Sequence, residues 1–570
     1  MKHIISATIL LAFVQLFSKT YIRYNQLGYL SNQQLKFVIL SDESLAGKNW
    51  SILNYKNEYL DSGAITESQS GKSDFTSKKY NYVILPENNL RAGKYTFKAG
   101  SETVDFVVVD HISKNQVENI IQYLRVKRSG KTADHLHQPS HLGDTNCIVY
   151  TKRGANSYWG KTKKKVNMEG GWYDAGDYIK FTLTNAYTTY VLIKALETNP
   201  VFFKNSSIKE EIKFGLKYLS KTLVSDYTFI IQTGGYLDHQ QGLRLPEQDL
   251  LDGKREAYSS LSSTQMGYTC AALSIGVKNA NLLGIEEETI KKYTKLTERI
   301  YALAKENISK TAWWQGNGQE ITQTVTPNTG GTGWETFYAD ESPYDNMSLA
   351  ALELFRLTNS KNYKKDALLF ADKAGPGWWA SWGNCNMYAN NGISKLTGTT
   401  SSNLKEDLSN FQSIAQQKGN IFGRPHDATW GTLNSVLIVG NNTATYDNNK
   451  KTTSYKTIYN DVYNYVYGLN NWGIAFVSDT NLVRSFKKSY LPVFRLQPKL
   501  TNIGEVSPGP GDRSSHEELG FNYNKRWEDE FNTAKTVYYD ESTDYMTAET
   551  TITLIADMIH FLAIYDKVNR

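Results

Sequence analysis

The sequence predicts a mainly α protein in which a small all-β domain precedes a much larger helical one. Two observations carry that reading. Between residue 20 and about residue 110, short runs rich in β-branched and aromatic residues alternate with clusters of Gly, Asn, Ser and Pro. From about residue 115 the apolar residues recur with helical period, in roughly a dozen segments up to residue 567. The length of 570 residues agrees, being too great for one ordinary domain.

Residues 1–18 read as a signal peptide. Met1, Lys2 and His3 make a short basic start, Ile4 to Phe17 is almost wholly apolar, and cleavage is expected near Ser18 and Lys19. The apolar run is too short to span a bilayer. No later stretch of that character follows, so the expectation is a secreted protein, extracellular or periplasmic, with no membrane span. Residues 19–112 read as a β-sandwich, with strands at Lys36 to Leu40, Trp50 to Leu53, Tyr82 to Leu85, Tyr95 to Phe97 and Phe106 to Val109. Residues 113–570 form the helical domain. Its stripes include Ile212, Leu216, Leu219 and Leu223, then Tyr293, Leu296, Ile300 and Leu303, and finally Ile555, Ile559 and Leu562. Long loops rich in Gly, Asn, Trp and Pro join them, which suits a helical toroid with functional loops gathered at its ends.

Composition narrows the function. The formal charge of +6 is a small surplus, and no basic patch is interleaved with aromatics, which argues against nucleic acid. The short basic run Lys163 to Lys165 reads as a solvated loop. Cys147, Cys270 and Cys385 form no CxxC pair and are an odd set, so buried free thiols are expected. Aromatics reach 13%, and Tyr and Trp combine a flat apolar face with a polar edge. Such residues suit both sugar-binding clefts and a large helical core. Oligomeric state has no signature in the sequence.

Two runs carry candidate chemistry. Gly170 to Tyr178 reads GGWYDAGDY, placing Asp174 and Asp177 three residues apart ahead of a helix expected from about Asn185 to Leu196. That spacing turns both carboxylates to one side, where one deprotonates a shared water and the other orients it; helix capping is the competing reading. Asp540 to Glu549 reads DESTDYMTAE, with Glu549 expected at the start of the last helix near Asp544 and Tyr545. Capping explains that run equally well.

GGWYDAGDY, WGTLNSVLI from Trp430, YVYGLNNWGIAFV from Tyr465 and DYMTAE from Asp544 together resemble the motifs of family 9 glycoside hydrolases, in order along nearly the whole chain. The segment YNQLGY from Tyr24 resembles the start of the immunoglobulin-like domain found in one branch of that family. The resemblance implies an (α/α)6 barrel and an endo-acting β-1,4-glucanase that inverts the anomeric carbon. It implies that Asp177 is the general base, Glu549 the general acid, and Asp174 a partner in holding the water. Inverting pairs stand about 6.5–9.5 Å apart.

Three departures and one set of platforms follow from the same resemblance. A Pro-His-His-Arg stretch of the family reads Pro492, Val493, Phe494 and Arg495, keeping only the arginine. That change motivates two alternatives: an exo-acting oligosaccharide hydrolase, or a glucan-binding protein with weakened catalysis. An Arg-Cys-Gly zinc site reads Arg128, Ser129 and Gly130, with His141, Asp238 and His239 as neighbours, and loss of the thiolate argues against zinc. Calcium is expected instead at Asp340 and Glu341 with the carbonyls of Thr336 and Phe337, although a further acidic ligand near Trp382 reads Gly383 or Asn384. Candidate substrate-binding residues are Trp430, Arg495, Tyr545, Trp313 and Trp314, with Trp334, Trp378 and Trp379 as further aromatic candidates.

Overall fold

The computed structural model describes residues 19–66, 72–87, 89–131, 136–152, 159–235, 238–239, 241–249, 255–308, 338, 342–377 and 381–570. Trp313, Trp314, Trp334, Thr336, Phe337, Asp340, Glu341, Trp378 and Trp379 lie outside the described residues.

Eight strands open the chain: β1 (Thr20–Arg23), β2 (Tyr29–Leu30), β3 (Phe37–Ser41), β4 (Asn49–Asn54), β5 (Tyr59–Ala64), β6 (Tyr80–Ile84), β7 (Gly93–Ala99) and β8 (Glu102–Val109). They form two sheets in the orders β1-β3-β6 and β2-β8-β7-β4-β5. Phe37 and Phe97 stack at 4.0 Å across the core, and the Phe106 ring meets Phe37 edge-on. The five strands legible in the sequence are β3, β4, β6, β7 and β8. Strand β5 gave no apolar signal because it is an edge strand with mostly exposed side chains. This sandwich is fastened to the rest of the protein through Lys36 on Asp461 at 2.9 Å and Lys78 on Glu530 at 2.7 Å. The side-chain amides of Asn25 and Gln33 both donate to Asn464 at 3.0 Å.

Twelve long helices among the described residues build the second domain: α1 (Lys114–Val126), α2 (Thr182–Thr198), α3 (Ile208–Leu219), α4 (Ser263–Lys278), α5 (Glu287–Asn307), α6 (Tyr344–Thr358), α7 (Lys361–Ala374), α8 (Asn386–Thr397), α9 (Ser402–Ala415), α10 (Leu433–Lys450), α11 (Lys456–Val466) and α12 (Ile552–Val568). The even-numbered helices pack each on the next, and α12 returns onto α2 to close a ring. Odd-numbered helices lie outside them, giving an (α/α)6 barrel. The burial follows from that placement. Inner α4 and α12 are buried on every side, whereas outer α3 and α5 bury one stripe and expose charge. Helix α12 and the turn before it are apolar enough to cross a membrane, but 89% of the most apolar window is buried inside the protein, as for a core helix.

Not everything beyond residue 115 is helix or loop. Strands β9 (Cys147–Lys152), β10 (Trp159–Val166), β11 (Lys180–Phe181), β12 (Leu223–Ser225), β13 (Thr228–Thr233) and β14 (Glu256–Ser259) form a sheet in the order β10-β9-β14-β13-β11, with β12 beside β13. Lys163 to Lys165 are exposed as expected, but on edge strand β10 rather than in a loop. Leu223 likewise begins β12 and does not continue the α3 stripe. All three cysteines are buried and free.

Candidate active site

The segments that carry the candidate residues run into neighbouring inner helices. GGWYDAGDY leads through β11 into α2, DYMTAE leads into α12, and Trp430 precedes α10. Closure of the ring therefore gathers segments far apart in sequence. Gly171 has φ of 75°, and a Cβ there would fall 2.8 Å from the Tyr218 ring, so only glycine fits the turn. Helix α2 begins at Thr182, earlier than expected, and neither Asp174 nor Asp177 caps it.

Asp174 is buried and accepts a hydrogen bond from the Tyr338 hydroxyl. Burial pushes its carboxyl up to about 6, opposed by the Thr184 and Tyr338 hydroxyls and the Lys127 ammonium. Asp177 is partly open to the cleft. Its two oxygens take the Ile179 N–H at 3.0 Å and His239 Nδ1 at 2.8 Å. The hydrogen bond to Asp177 raises the His239 pKa against the opposing effect of burial. The sequence offered His239 as a metal neighbour; its Nδ1 is instead hydrogen-bonded to the carboxylate of Asp177.

Glu549 does not start the last helix. It follows the short helix Tyr545–Ala548 in extended backbone, three residues before α12. Asp544 caps that short helix, accepting from the Met546 and Thr547 N–H groups, and its other oxygen meets His516 Nε2 at 2.8 Å. Glu549 Oε1 accepts the Gly176 N–H at 2.7 Å, which joins the two motifs directly. Burial first, and then the charge of Asp177, push the Glu549 carboxyl up to about 7; the Gly176 hydrogen bond and Lys127 oppose them. The site thus holds an acid whose proton is retained near neutral pH beside a carboxylate bound by two donors.

An aromatic wall adjoins this pair. Trp430 is 53% exposed and stacks on Tyr545 at 5.7 Å, which leaves its other face free for a ligand. Tyr545 meets Tyr490 at 6.2 Å and Phe521 at 4.8 Å. Arg495 lies over the Tyr490 ring at 5.3 Å. Val493 and Phe494, the apolar residues of the altered stretch, are buried, and Phe494 stacks on Tyr123 at 5.9 Å. The structure thus brings Trp430, Tyr545 and Arg495 together with the carboxylates. His239, Tyr338 and Tyr490 join them without having been singled out for this role, since no local motif marks them.

At the family's zinc position Ser129 stands for the cysteine, its hydroxyl accepting from the Lys180 ammonium at 3.4 Å. Tyr173 shares hydrogen bonds with Ser140 at 2.6 Å and with His141 Nδ1 at 2.5 Å. The Ser129 hydroxyl replaces one thiolate, and burial holds the Tyr173 phenol well above its usual range and pushes the His141 imidazole well down. On the other side of the ring, His141, Asp238 and Asp249 bring ligand atoms within 4.8 Å of one another, a candidate metal triad. There Asp238 already meets Arg244 at 3.0 Å and Arg255 at 3.2 Å, cations that would repel an ion.

The glycosyl hydrolase family 9 profile matches residues 114–562. The xyloglucan-specific endo-β-1,4-glucanase BoGH9A of Bacteroides ovatus is 22% identical over 386 residues, 63% of this chain and 61% of that protein. Endoglucanase 13 of Arabidopsis thaliana is 25% identical over 322 residues, 54% and 58% of the two chains. The chain therefore matches about three-fifths of the length of these curated relatives. A zinc-binding triple mutant of the family 9 endoglucanase J30 superposes with a TM-score of 0.76 at 17% identity, covering 94% of this chain and 99% of that one. With barrel, motifs and profile in agreement, the chain belongs to glycosyl hydrolase family 9.

Proposed function

We propose that this chain is an inverting endo-β-1,4-glucanase acting on cellulose or a related β-glucan. The observation that carries the reading is the contrast between Glu549, pushed up to about 7, and Asp177, held by Ile179 and His239. Inversion needs one carboxylic acid and one carboxylate on opposite faces of the sugar. In this reading Glu549 protonates the departing glycosidic oxygen as the C–O bond breaks. Asp177 takes a proton from water as its oxygen bonds to the anomeric carbon, and Asp174 orients that water. One bond is cleaved, one is formed, and no covalent enzyme intermediate is involved. Trp430, Tyr545 and Arg495 would bind the glucan. Xyloglucan is a substrate to include, since that is what the Bacteroides ovatus relative is specific for.

The same proposal treats residues 1–18 as a signal peptide, residues 19–112 as the immunoglobulin-like domain, and the mature protein as secreted. A structural calcium at Asp340 and Glu341 rests on the resemblance alone. The deciding test is hydrolysis of carboxymethylcellulose and barley β-glucan by the full chain, followed by viscosity, with stereochemical analysis of the first product. A rapid fall in viscosity and an α-configured product are expected. Asp177→Ala and Glu549→Ala should each abolish turnover; near-normal rates in either would sink the assignment.

A further inference from the structure

We propose that Lys127 is a positioning residue for this reaction: its buried ammonium ties the two carboxylate-bearing loops together and places a positive charge against which the catalytic carboxylates are set. This rests on the roles proposed above for Asp177 and Glu549. Lys127 follows the last turn of α1 and is 1% exposed. Its Nζ donates to the carbonyls of Ala175 at 2.8 Å, Thr550 at 2.8 Å and Asp174 at 3.4 Å. An ammonium has three donors, and all three go to backbone. Ala175 precedes Gly176, whose N–H holds Glu549, and Thr550 follows Glu549. The cation therefore grips the chain one residue away from each end of the hydrogen bond that joins the motifs. The frame is reinforced by two backbone bonds, from Tyr173 N–H to the Lys127 carbonyl at 2.8 Å and from Ile552 N–H to the Asp174 carbonyl at 3.0 Å.

Holding two loops would need only a neutral donor, and the charge calls for a separate reason. Burying an ammonium is costly unless nearby groups compensate it. No carboxylate among the described residues forms an ion pair with Lys127, unlike its neighbours Arg125 and Arg128, which both pair with Glu211. Burial lowers the Lys127 pKa to about 8, and the groups that oppose this through space are Asp174, Glu549, Glu505 and Asp177. Glu505 is itself held by Ser489, Asn502 and Thr550. The positive charge thus sits beneath a cluster of four carboxyl groups without being spent on any one of them. It favours ionisation of Asp174 and restrains the upward shift of Glu549.

The test compares Lys127→Gln, Lys127→Met and Lys127→Arg in the full chain, with thermal unfolding and the pH dependence of kcat and KM on barley β-glucan. Activity of the parent chain establishes the hydrolase reading independently, so failure of that reading and failure of this one are separable. In Lys127→Gln and Lys127→Met, loss of the charge should move the alkaline limb upward by about one pH unit. It should also lower kcat roughly 10- to 100-fold, leaving KM within about twofold. Lys127→Arg should restore the limb. A folded neutral variant with the parent's limb overturns the proposal, as does activity lost only in step with the unfolding temperature. Failure of both neutral variants to fold also overturns it, because the lysine would then serve the fold and not the site.

Discussion

Gly176→Ala should disable the proposed acid half of the reaction, displacing Glu549 together with the neighbouring Tyr490 ring. A Cβ on Gly176 would fall 2.6 Å from Glu549 Oε1, and 2.4 and 2.5 Å from two ring carbons of Tyr490. Ordinary contact begins at 3.4 Å, so the Glu549 carboxyl must retreat by about 0.8 Å, a displacement of the size that costs ~10²-fold in a positioned reaction. General acid catalysis as a whole is worth ~10²–10⁴-fold, so a loss of about 100-fold on barley β-glucan is within what the acid supplies. Gly176 is not among the glycines with positive φ, and alanine therefore adds no backbone strain to confuse the result. The discriminating assay pairs glucan hydrolysis with release of dinitrophenolate from a dinitrophenyl cellobioside, a leaving group that needs no proton. The variant should lose less than about fivefold on the aryl substrate. Equal losses on the two substrates, or a parent-like rate on glucan, would refute the argument that the contact between Gly176 and Glu549 sets the acid.

Two further outcomes follow from the same geometry. In the proposed mechanism Glu549 acts only while protonated, and burial with the Asp177 charge raises its pKa to about 7. The value of kcat/KM should therefore be sustained below that pH and fall as pH rises through it, approaching about tenfold per unit; a level profile from about pH 6 to about pH 9 would contradict the assignment. Trp430→Ala removes an exposed ring face. At roughly 25 cal/mol per Å² over about 50 Å² of sugar contact, KM should rise about tenfold with kcat little changed. An unchanged KM on long glucans would exclude Trp430 as a platform.

The parts of the site that were legible in the sequence are those whose chemistry is concentrated in a short run. GGWYDAGDY and DYMTAE each carry their carboxylates with the glycines or caps that position them, so the residues could be named without a fold. His239, Tyr338 and Tyr490 could not be assigned to the site, because no local motif marks them and only closure of the helical ring sets each against a carboxylate. The β9–β14 sheet was missed for a related reason. Its strands are short, and β10 carries Lys161, Lys163, Lys164 and Lys165 on an edge where no apolar alternation is required.

The departures from the family pattern have a common physical resolution. Where histidines are absent, Val493 and Phe494 turn inward, and Phe494 packs on Tyr123, which leaves Arg495 above Tyr490 at the aromatic wall. Where a thiolate is absent, Ser129 stands in its place beside Tyr173, whose hydroxyl also meets Ser140 and His141. In both places local packing has replaced a specialised group. Tyr173 is also the residue immediately before Asp174, and its N–H binds the Lys127 carbonyl. The turn that carries the two aspartates is therefore anchored from its N-terminal side by hydroxyls and an imidazole, and from beneath by an ammonium. That anchoring explains how Asp177 and Glu549 can keep their geometry while the groups around them have changed; under the proposed function, those changes act on glucan preference and rate through Trp430, Tyr490, Tyr545 and Arg495.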